Sequence, residues 1–427
     1  MANDDLKRAA IRGGAFTLAA QGVQIAAQVG ALIVLAQLLR PSQFGLAVMA
    51  TVILSIATVA ADFGVSVLVV QRRELSPRRA LRIGLGTGVL IALFLLLFLV
   101  LFEVPMRGLL TLGAFGIAVA GVGATARGCL ERELKFARIA GLEALLAVAV
   151  ALIKVDLAQR GAGAAAIVCG DAIGAGLYAT AMLLAAQGSI GPKDPGPRSP
   201  VYRDGGRIVG MRMFDTGFGQ MDRFLIGSLH SGIAMLGIYG FAYQHAMFLA
   251  ARLGPVTERV ALPLLSRLRE QPAALADAYR ALTRVHSLAL TGPALLLYAL
   301  APTLVDWLYP ERWSDAVPAM QALCLAAAAH GLNSRPGLLW IALGHIRMRF
   351  LWSVVNLGVT AVILWFAVPH GLEATAYALA ARSTAATVVA QWLTHRVAPS
   401  IRHADYLRAI APAAALTTLL LLLLAAV

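Results

Sequence analysis

Four arginines, Arg223, Arg252, Arg335 and Arg382, fall inside long apolar stretches in the second half of a 427-residue chain. A charged side chain at the centre of a bilayer costs about 2.5 to 3.5 kcal/mol on insertion scales, so residues kept there face protein or water rather than lipid. Arginine stays protonated when partly desolvated, and its planar fork of donors suits bidentate phosphate binding. Together the four are read as a cationic cavity lining that takes a pyrophosphate. The competing reading is that each pairs with a nearby acid or snorkels to an interface, and Arg223 beside Asp222 near a helix end is the most open to it.

Carboxylates form a second set. Asp62 interrupts an apolar run before Phe63-Gly64, Asp171 lies beside Gly170 and near Gly174, and Asp215 sits in a similar setting. A buried acid of this kind exchanges a proton or helps to coordinate Na+, which would couple a membrane process to an ion gradient; equally, it caps a kink or pairs with an arginine. Glu143, Lys154 and Asp156 lie toward helix ends, where snorkelling is easy, and are assigned no function. Cys129, Cys169 and Cys324 lack metal-ligand spacing and are expected as free thiols packed as small apolar groups. No catalytic set, no metal site and no bound cofactor are expected. Gly84-Leu85-Gly86-Thr87-Gly88 lacks the lysine of a phosphate-binding loop and reads as a helix packing face.

These residues must be positioned by helices in lipid. The chain is 59% hydrophobic and 14% charged, with mean hydropathy +0.76, too little polar residue to cover a water-soluble globule. Stretches of about 20 residues, enough for a bilayer about 30 Å thick, number about thirteen. They lie near 14–39, 44–70, 80–102, 108–127, 137–157 and 161–187, then 205–230, 234–263, 281–306, 314–344, 346–368, 371–394 and 405–427. They are continuously apolar rather than alternating, which predicts helices and not a barrel. The first stretch is about twice the length of a signal-peptide core and is expected to stay as a helix.

Basic residues alternate between gaps. Lys7, Arg8 and Arg12 precede the first stretch; Arg72, Arg73, Arg78, Arg79 and Arg82 fill the second gap; Arg127, Arg132, Lys135 and Arg138 the fourth; Lys193, Arg198, Arg203, Arg207 and Arg212 the sixth. Arg267, Arg269, Arg280 and Arg284, then Arg347 and Arg349, then Arg396, Arg402 and Arg408 continue the pattern, while the odd gaps hold only Arg40, Arg107, Arg160 and Arg312. By the positive-inside rule the N-terminus and the even gaps are cytoplasmic. The net charge of +14 then reflects topology and anionic inner-leaflet lipid, not nucleic-acid binding.

Gly, Pro and charge over 188–204 mark the clearest boundary. The expected fold is an all-α polytopic membrane protein with two bundles of about six helices around a central cavity, plus one extra C-terminal helix. The N-terminal lobe is 1–187, the cytoplasmic linker 188–204, the C-terminal lobe 205–396 and the added helix 397–427. Phe44-Gly45-Leu46-Ala47 and Leu236-Gly237-Ile238-Tyr239 form a weak internal echo between the lobes.

The same residues carry a family likeness. Leu39-Arg40-Pro41-Ser42-Gln43-Phe44-Gly45, then Asp62-Phe63-Gly64-Val65-Ser66 leading to Gln71-Arg72, then Arg132-Glu133-Leu134-Lys135-Phe136 occur in order. Asp222-Arg223-Phe224-Leu225-Ile226-Gly227, Leu236-Gly237-Ile238-Tyr239 with Ala242, Pro263, Trp313 with Ala316, and Ala342-Leu343-Gly344 follow. The chain resembles oligosaccharide flippases of the multidrug/oligosaccharidyl-lipid/polysaccharide exporter superfamily, in the Wzx or polysaccharide-transporter branch. The resemblance implies a MATE-like, alternating-access transporter that moves polyprenyl-pyrophosphate-linked oligosaccharide across the inner membrane. Its partners would be that lipid, membrane lipids and a polysaccharide polymerase complex. Such proteins often have twelve or fourteen helices, and the odd count here falls on 405–427. The alternatives are a related exporter of drugs or peptidoglycan precursor, and a membrane-embedded polymerase or glycosyltransferase.

Overall fold

The computed structural model describes residues 2–71, 75–104, 106–189, 201–228, 232–332 and 336–425. The helices in chain order are α1 (Ala2–Leu38), α2 (Pro41–Asp62), α3 (Val65–Gln71), α4 (Pro77–Leu101), α5 (Arg107–Arg132), α6 (Phe136–Gln159), α7 (Ala164–Ala186) and α8 (Val201–Ser228). They continue as α9 (Ile233–Ala246), α10 (Phe248–Arg267), α11 (Pro272–Leu308), α12 (Ala316–Leu332), α13 (Pro336–Ala342), α14 (Ile346–Ala367), α15 (Leu372–Val397) and α16 (His403–Ala425). Among the described residues there is no strand.

Among the described residues, eight helical segments are long and apolar enough to cross a membrane: Ala19–Leu38, Pro41–Gln71, Pro77–Leu101, Arg107–Arg132, Phe136–Gln159, Ala164–Ser189, Pro272–Leu308 and Ile346–His370. Large apolar side chains stand exposed on them, including Leu90, Leu93, Phe94 and Leu97 on α4, and Val355, Val359, Val362 and Phe366 on α14. Water would not tolerate such faces, and acyl chains do. The protein is an all-α, multi-pass membrane protein.

Three expected spans are broken. The 44–70 stretch divides at Phe63 and Gly64, whose φ values of 47° and 66° are left-handed and end α2 before α3 begins. A Cβ at Gly64 would also meet Ile208 of α8. Glycine is thus required there twice, by backbone and by space. The 234–263 stretch is α9 and α10, joined at Met247, whose ψ of 0° leaves the helical region for one residue. The 314–344 stretch is α12 and α13, with 333–335 outside the described residues. Conversely, α11 starts at Pro272, ahead of the expected 281, and its 37 residues make it about 55 Å long at 1.5 Å per residue, more than a bilayer core needs.

Contacts group the chain into residues 1–224 and 225–427. In the first unit α5 is central and packs on α2, α3, α4 and α7, while α1 lies on α6. The α4–α5 contact runs backbone to backbone: a Cβ at Gly84 would meet the Gly121 carbonyl, and one at Gly121 the carbonyls of Gly84 and Ala61. The glycine run of α4 is therefore a packing face, and Thr87 within it donates its hydroxyl to the Ala61 carbonyl at 2.6 Å. Val65, Leu68 and Val69 of α3 bury against Ala126, Cys129 and Leu130 of α5 and Met182 of α7.

In the second unit α12 is the buried centre, contacting α9, α11 and α15, with α16 on α11. Phe241 stacks on Trp313 with ring centroids 4.4 Å apart, and His245 bonds the Tyr309 hydroxyl at 2.8 Å. Cys129 and Cys324 are buried free thiols and Cys169 is half-buried and free.

Candidate functional site

Of the four arginines, two have described side chains. Arg223 donates to the Gly219 carbonyl at 2.7 Å and lies 3.6 Å from the carboxylate of Asp222, on one stretch of α8. Arg382, half-buried on α15, donates to Asn356 of α14 and to Ser383, both at 3.2 Å. The side chain of Arg252, on α10, and the whole of Arg335 lie outside the described residues.

The three aspartates have different settings. Asp62 is 4% exposed at the end of α2 and accepts from the Ser66 N–H at 3.3 Å, the Ser66 hydroxyl at 2.7 Å and Arg212 Nη1 at 2.5 Å. It caps the short helix α3 and ties α8 to it. Asp171, on α7, pairs with Lys154 Nζ of α6 at 2.6 Å. Asp215 is exposed on α8.

Two of these aspartates belong to a larger polar assembly within the first unit. A cavity of about 710 Å³ is lined by Thr58 of α2, Ser66, Val67, Val70 and Gln71 of α3, Ala120, Ala124, Arg127 and Glu131 of α5, Val150 of α6, Asp171, Gly174, Ala175 and Tyr178 of α7, and Arg212 of α8. Behind this lining stand partners for its ions. Arg127 Nη2 lies 3.2 Å from Glu131 and its Nε 3.1 Å from Glu143, which also accepts from the Tyr178 hydroxyl at 3.3 Å. Lys154 backs Asp171, and Asp62 backs Arg212.

Local helix geometry produces this arrangement. Ala120, Ala124, Arg127 and Glu131 follow the i, i+4, i+7, i+11 spacing that keeps side chains on one face of α5. Glu143, Val150 and Lys154 do the same on α6, as do Asp171, Gly174, Ala175 and Tyr178 on α7. Helices α6 and α7 approach closely because α7 has glycines where α6 has bulk: a Cβ at Gly170 would meet the Lys154 stem, and one at Gly174 would meet Val150. Lys154 thus lies along α7 and delivers its ammonium to Asp171, one residue on from Gly170.

Charge counting defines what the cavity does chemically. Among the described residues, Arg127, Lys154 and Arg212 lie against the carboxylates of Asp62, Glu131, Glu143 and Asp171, an assembly in which each cation has an acidic partner. Its ions are mutually compensated and still present donors and acceptors to the interior. Outside the span, at the α5–α6 turn, Glu133 is held below the usual carboxylate range by its hydrogen bond from Lys135, with a further one from Ser189.

Arg127, Glu131, Glu143, Lys154, Tyr178 and Arg212 were not singled out by residue type alone. For all but Arg212, which lies on α8, the signal is the helical stripe on α5, α6 and α7, visible only once those stripes are aligned with each other.

Residues 34–318 match the family described as polysaccharide biosynthesis protein. The chain is 24% identical to lipopolysaccharide biosynthesis protein WzxC of Escherichia coli K12 over 366 residues, 82% of this chain and 73% of that one. It is 26% identical to teichuronic acid biosynthesis protein TuaB of Bacillus subtilis 168 over 176 residues, 41% of this chain and 36% of that one. Among solved structures, an inward-facing MATE multidrug resistance transporter of the MOP superfamily superposes with a TM-score of 0.69 at 13% identity, over 88% of this chain and 95% of that one. Lipid II flippase MurJ in an inward closed conformation gives 0.68 at 14% identity, over 95% of this chain and 92% of that one. At such identities the likeness is one of fold.

Proposed function

The chain belongs to the polysaccharide biosynthesis protein family, as its match over residues 34–318 establishes, and from that premise we propose that it is a flippase for polyprenyl-pyrophosphate-linked oligosaccharide. The fold alone does not choose a cargo, since it is shared about equally with a drug transporter and a lipid II flippase. The family match favours a glycan cargo, and the charged cavity of about 710 Å³ inside an otherwise apolar helical unit is the structural observation that fits. A sugar head group needs polar partners to leave water, and its polyprenyl tail does not.

In this reading the protein changes no bonds. It lowers the barrier for a polar head group by offering hydrogen-bonding groups at membrane depth, first to one side and then to the other, while the tail stays in hydrocarbon. Arginines of the second half, Arg252 and Arg335 first among them, are proposed to hold the pyrophosphate, for which a guanidinium fork is suited. Asp62, Asp171 and Asp215 are the proposed points of coupling to an H+ or Na+ gradient. The same proposal has the protein in the inner membrane with its N-terminus cytoplasmic, as the alternation of basic gaps suggests, and working beside a polysaccharide polymerase. The direct test is reconstitution into proteoliposomes with a fluorescently labelled polyprenyl-pyrophosphate saccharide. Protein-dependent transfer of label to the opposite leaflet is expected, and a rate equal to that of empty liposomes overturns the reading.

A further inference from the structure

The flippase reading leaves open which part of the cargo each site takes, and resting on that reading we infer that the cavity of the first unit binds the saccharide through its hydroxyls and is not a pyrophosphate site.

Charge disfavours the phosphate. Each cation at the cavity already lies 2.5 to 3.2 Å from a carboxylate: Arg127 from Glu131 and Glu143, Lys154 from Asp171, Arg212 from Asp62. Among the described residues these pairs leave no net positive charge, so a multiply charged pyrophosphate finds each cation already beside a carboxylate that repels it. A sugar hydroxyl carries no charge, donates one proton and accepts on two lone pairs. It adds to an ion pair without breaking it. Bonds to ionised partners are also the stronger kind, shorter and about twice the strength of neutral ones.

Shape and lining agree. A volume of about 710 Å³ falls within the roughly 300–1,000 Å³ of small-molecule sites. Ala120, Ala124, Gly174 and Ala175 leave the α5 and α7 walls low, so that ring-sized groups reach Arg127, Glu131 and Asp171. Tyr178 contributes an aromatic body, its hydroxyl already committed to Glu143. Acceptors and donors around one space, with small residues between them, match a polyhydroxylated ligand.

The test separates sugar from phosphate. The protein is placed in lipid nanodiscs and titrated with two probes, undecaprenyl pyrophosphate and the same carrier bearing the repeat-unit oligosaccharide, taken from cells in which the glycosylated carrier accumulates. Wild type is expected to bind the glycosylated carrier at least tenfold more tightly than the bare one. Ala175→Leu, which fills the cavity without touching charge, should remove most of that preference and leave the bare carrier's affinity within twofold. Tyr178→Phe removes a single oxygen and serves as the variant least able to disturb folding; a preference lowered about threefold is expected. Equal losses on both probes, or no loss on either, overturn the glycan assignment. Should wild type bind neither probe, the flippase reading itself fails, which is a separate outcome.

Discussion

Arg212 Nη1 lies 2.5 Å from Asp62 Oδ2, so helix α8 is tied at one point to the left-handed break between α2 and α3. Asp62 is almost wholly buried, whereas the Arg212 side chain is 46% exposed. The two ends of this pair are therefore unequal. Removing Arg212 leaves an acid still holding two donors from Ser66; removing the acid strips α3 of its cap and leaves those donors without it. Asp62→Ala is expected to destabilise by about 1 to 3 kcal/mol, the range for orphaned buried partners. Arg212→Ala should lose about 1 kcal/mol or less, as solvent screens its exposed side. Thermal melts of detergent-solubilised protein check the order, and equal losses would show that the pair, and not the cap, holds the break.

The Lys154–Asp171 pair gives a cleaner charge test. Either single reversal, Lys154→Asp or Asp171→Lys, sets like charges against each other between α6 and α7, and glycan export should fall at least tenfold. The exchange of both restores opposite signs, though Gly170 was fitted to the stem of Lys154 and not to its replacement. Partial recovery in the double variant is expected in an export assay normalised to membrane protein level. A double variant no better than the singles would mean that geometry, and not sign, is what matters.

Packing supplies a third test. A Cβ at Gly121 would collide with backbone carbonyls of Gly84 and Ala61, which cannot rotate aside. Overpacking typically costs about 1 to 3 kcal/mol and more where backbone must move. Gly121→Val should therefore reduce folded yield in fluorescence-detected size-exclusion chromatography, while Gly86→Val, whose position has open space around it, should not. The glycine run would otherwise have to be assigned something besides packing.

The helical membrane class and the packing role of the glycines were legible in composition and spacing. The polar assembly was not, for a physical reason. Positive-inside reasoning allots every arginine near a helix end to a loop, and it placed Arg127 and Arg212 in cytoplasmic gaps, although they sit on α5 and α8 and turn toward acids. Glu143 and Lys154 read as able to snorkel, because a single helix shows a route to the interface but not the neighbour that offers a partner. The break at Phe63 was hidden in the same way: Asp62 reads as an intruder in an apolar run until Ser66 and Arg212 are seen around it. Long-range pairing is what an unaligned sequence does not display.

Arg252 and Arg335 carry the proposed pyrophosphate contact, so Arg252→Ala and Arg335→Ala should each slow translocation of labelled lipid at least tenfold with membrane insertion intact. Lysine at either position keeps the charge and loses the fork, and should recover only part of the rate. Unchanged transfer in both alanine variants removes them from the mechanism.

Arg127 poses the sharpest demand on side-chain type, because one guanidinium spans two acids on different helices: its Nη2 meets Glu131 of α5 and its Nε meets Glu143 of α6. A lysine ammonium is a point charge on a flexible stem and does not present two fixed donor directions. Arg127→Lys should therefore keep one partner and release the other, and Arg127→Ala should leave Glu131 and Glu143 without the cation they share, with Glu143 still accepting from the Tyr178 hydroxyl. If the fork sets the distance between α5 and α6 at the cavity, both variants lose glycan transfer, alanine by more than lysine. Adding Glu143→Gln to Arg127→Ala removes one of the two stranded charges and should return part of the folded yield without returning transfer. Recovery of transfer in that double variant would show that Arg127 serves only to neutralise its neighbours, and that the position of the α6 stripe does not depend on it.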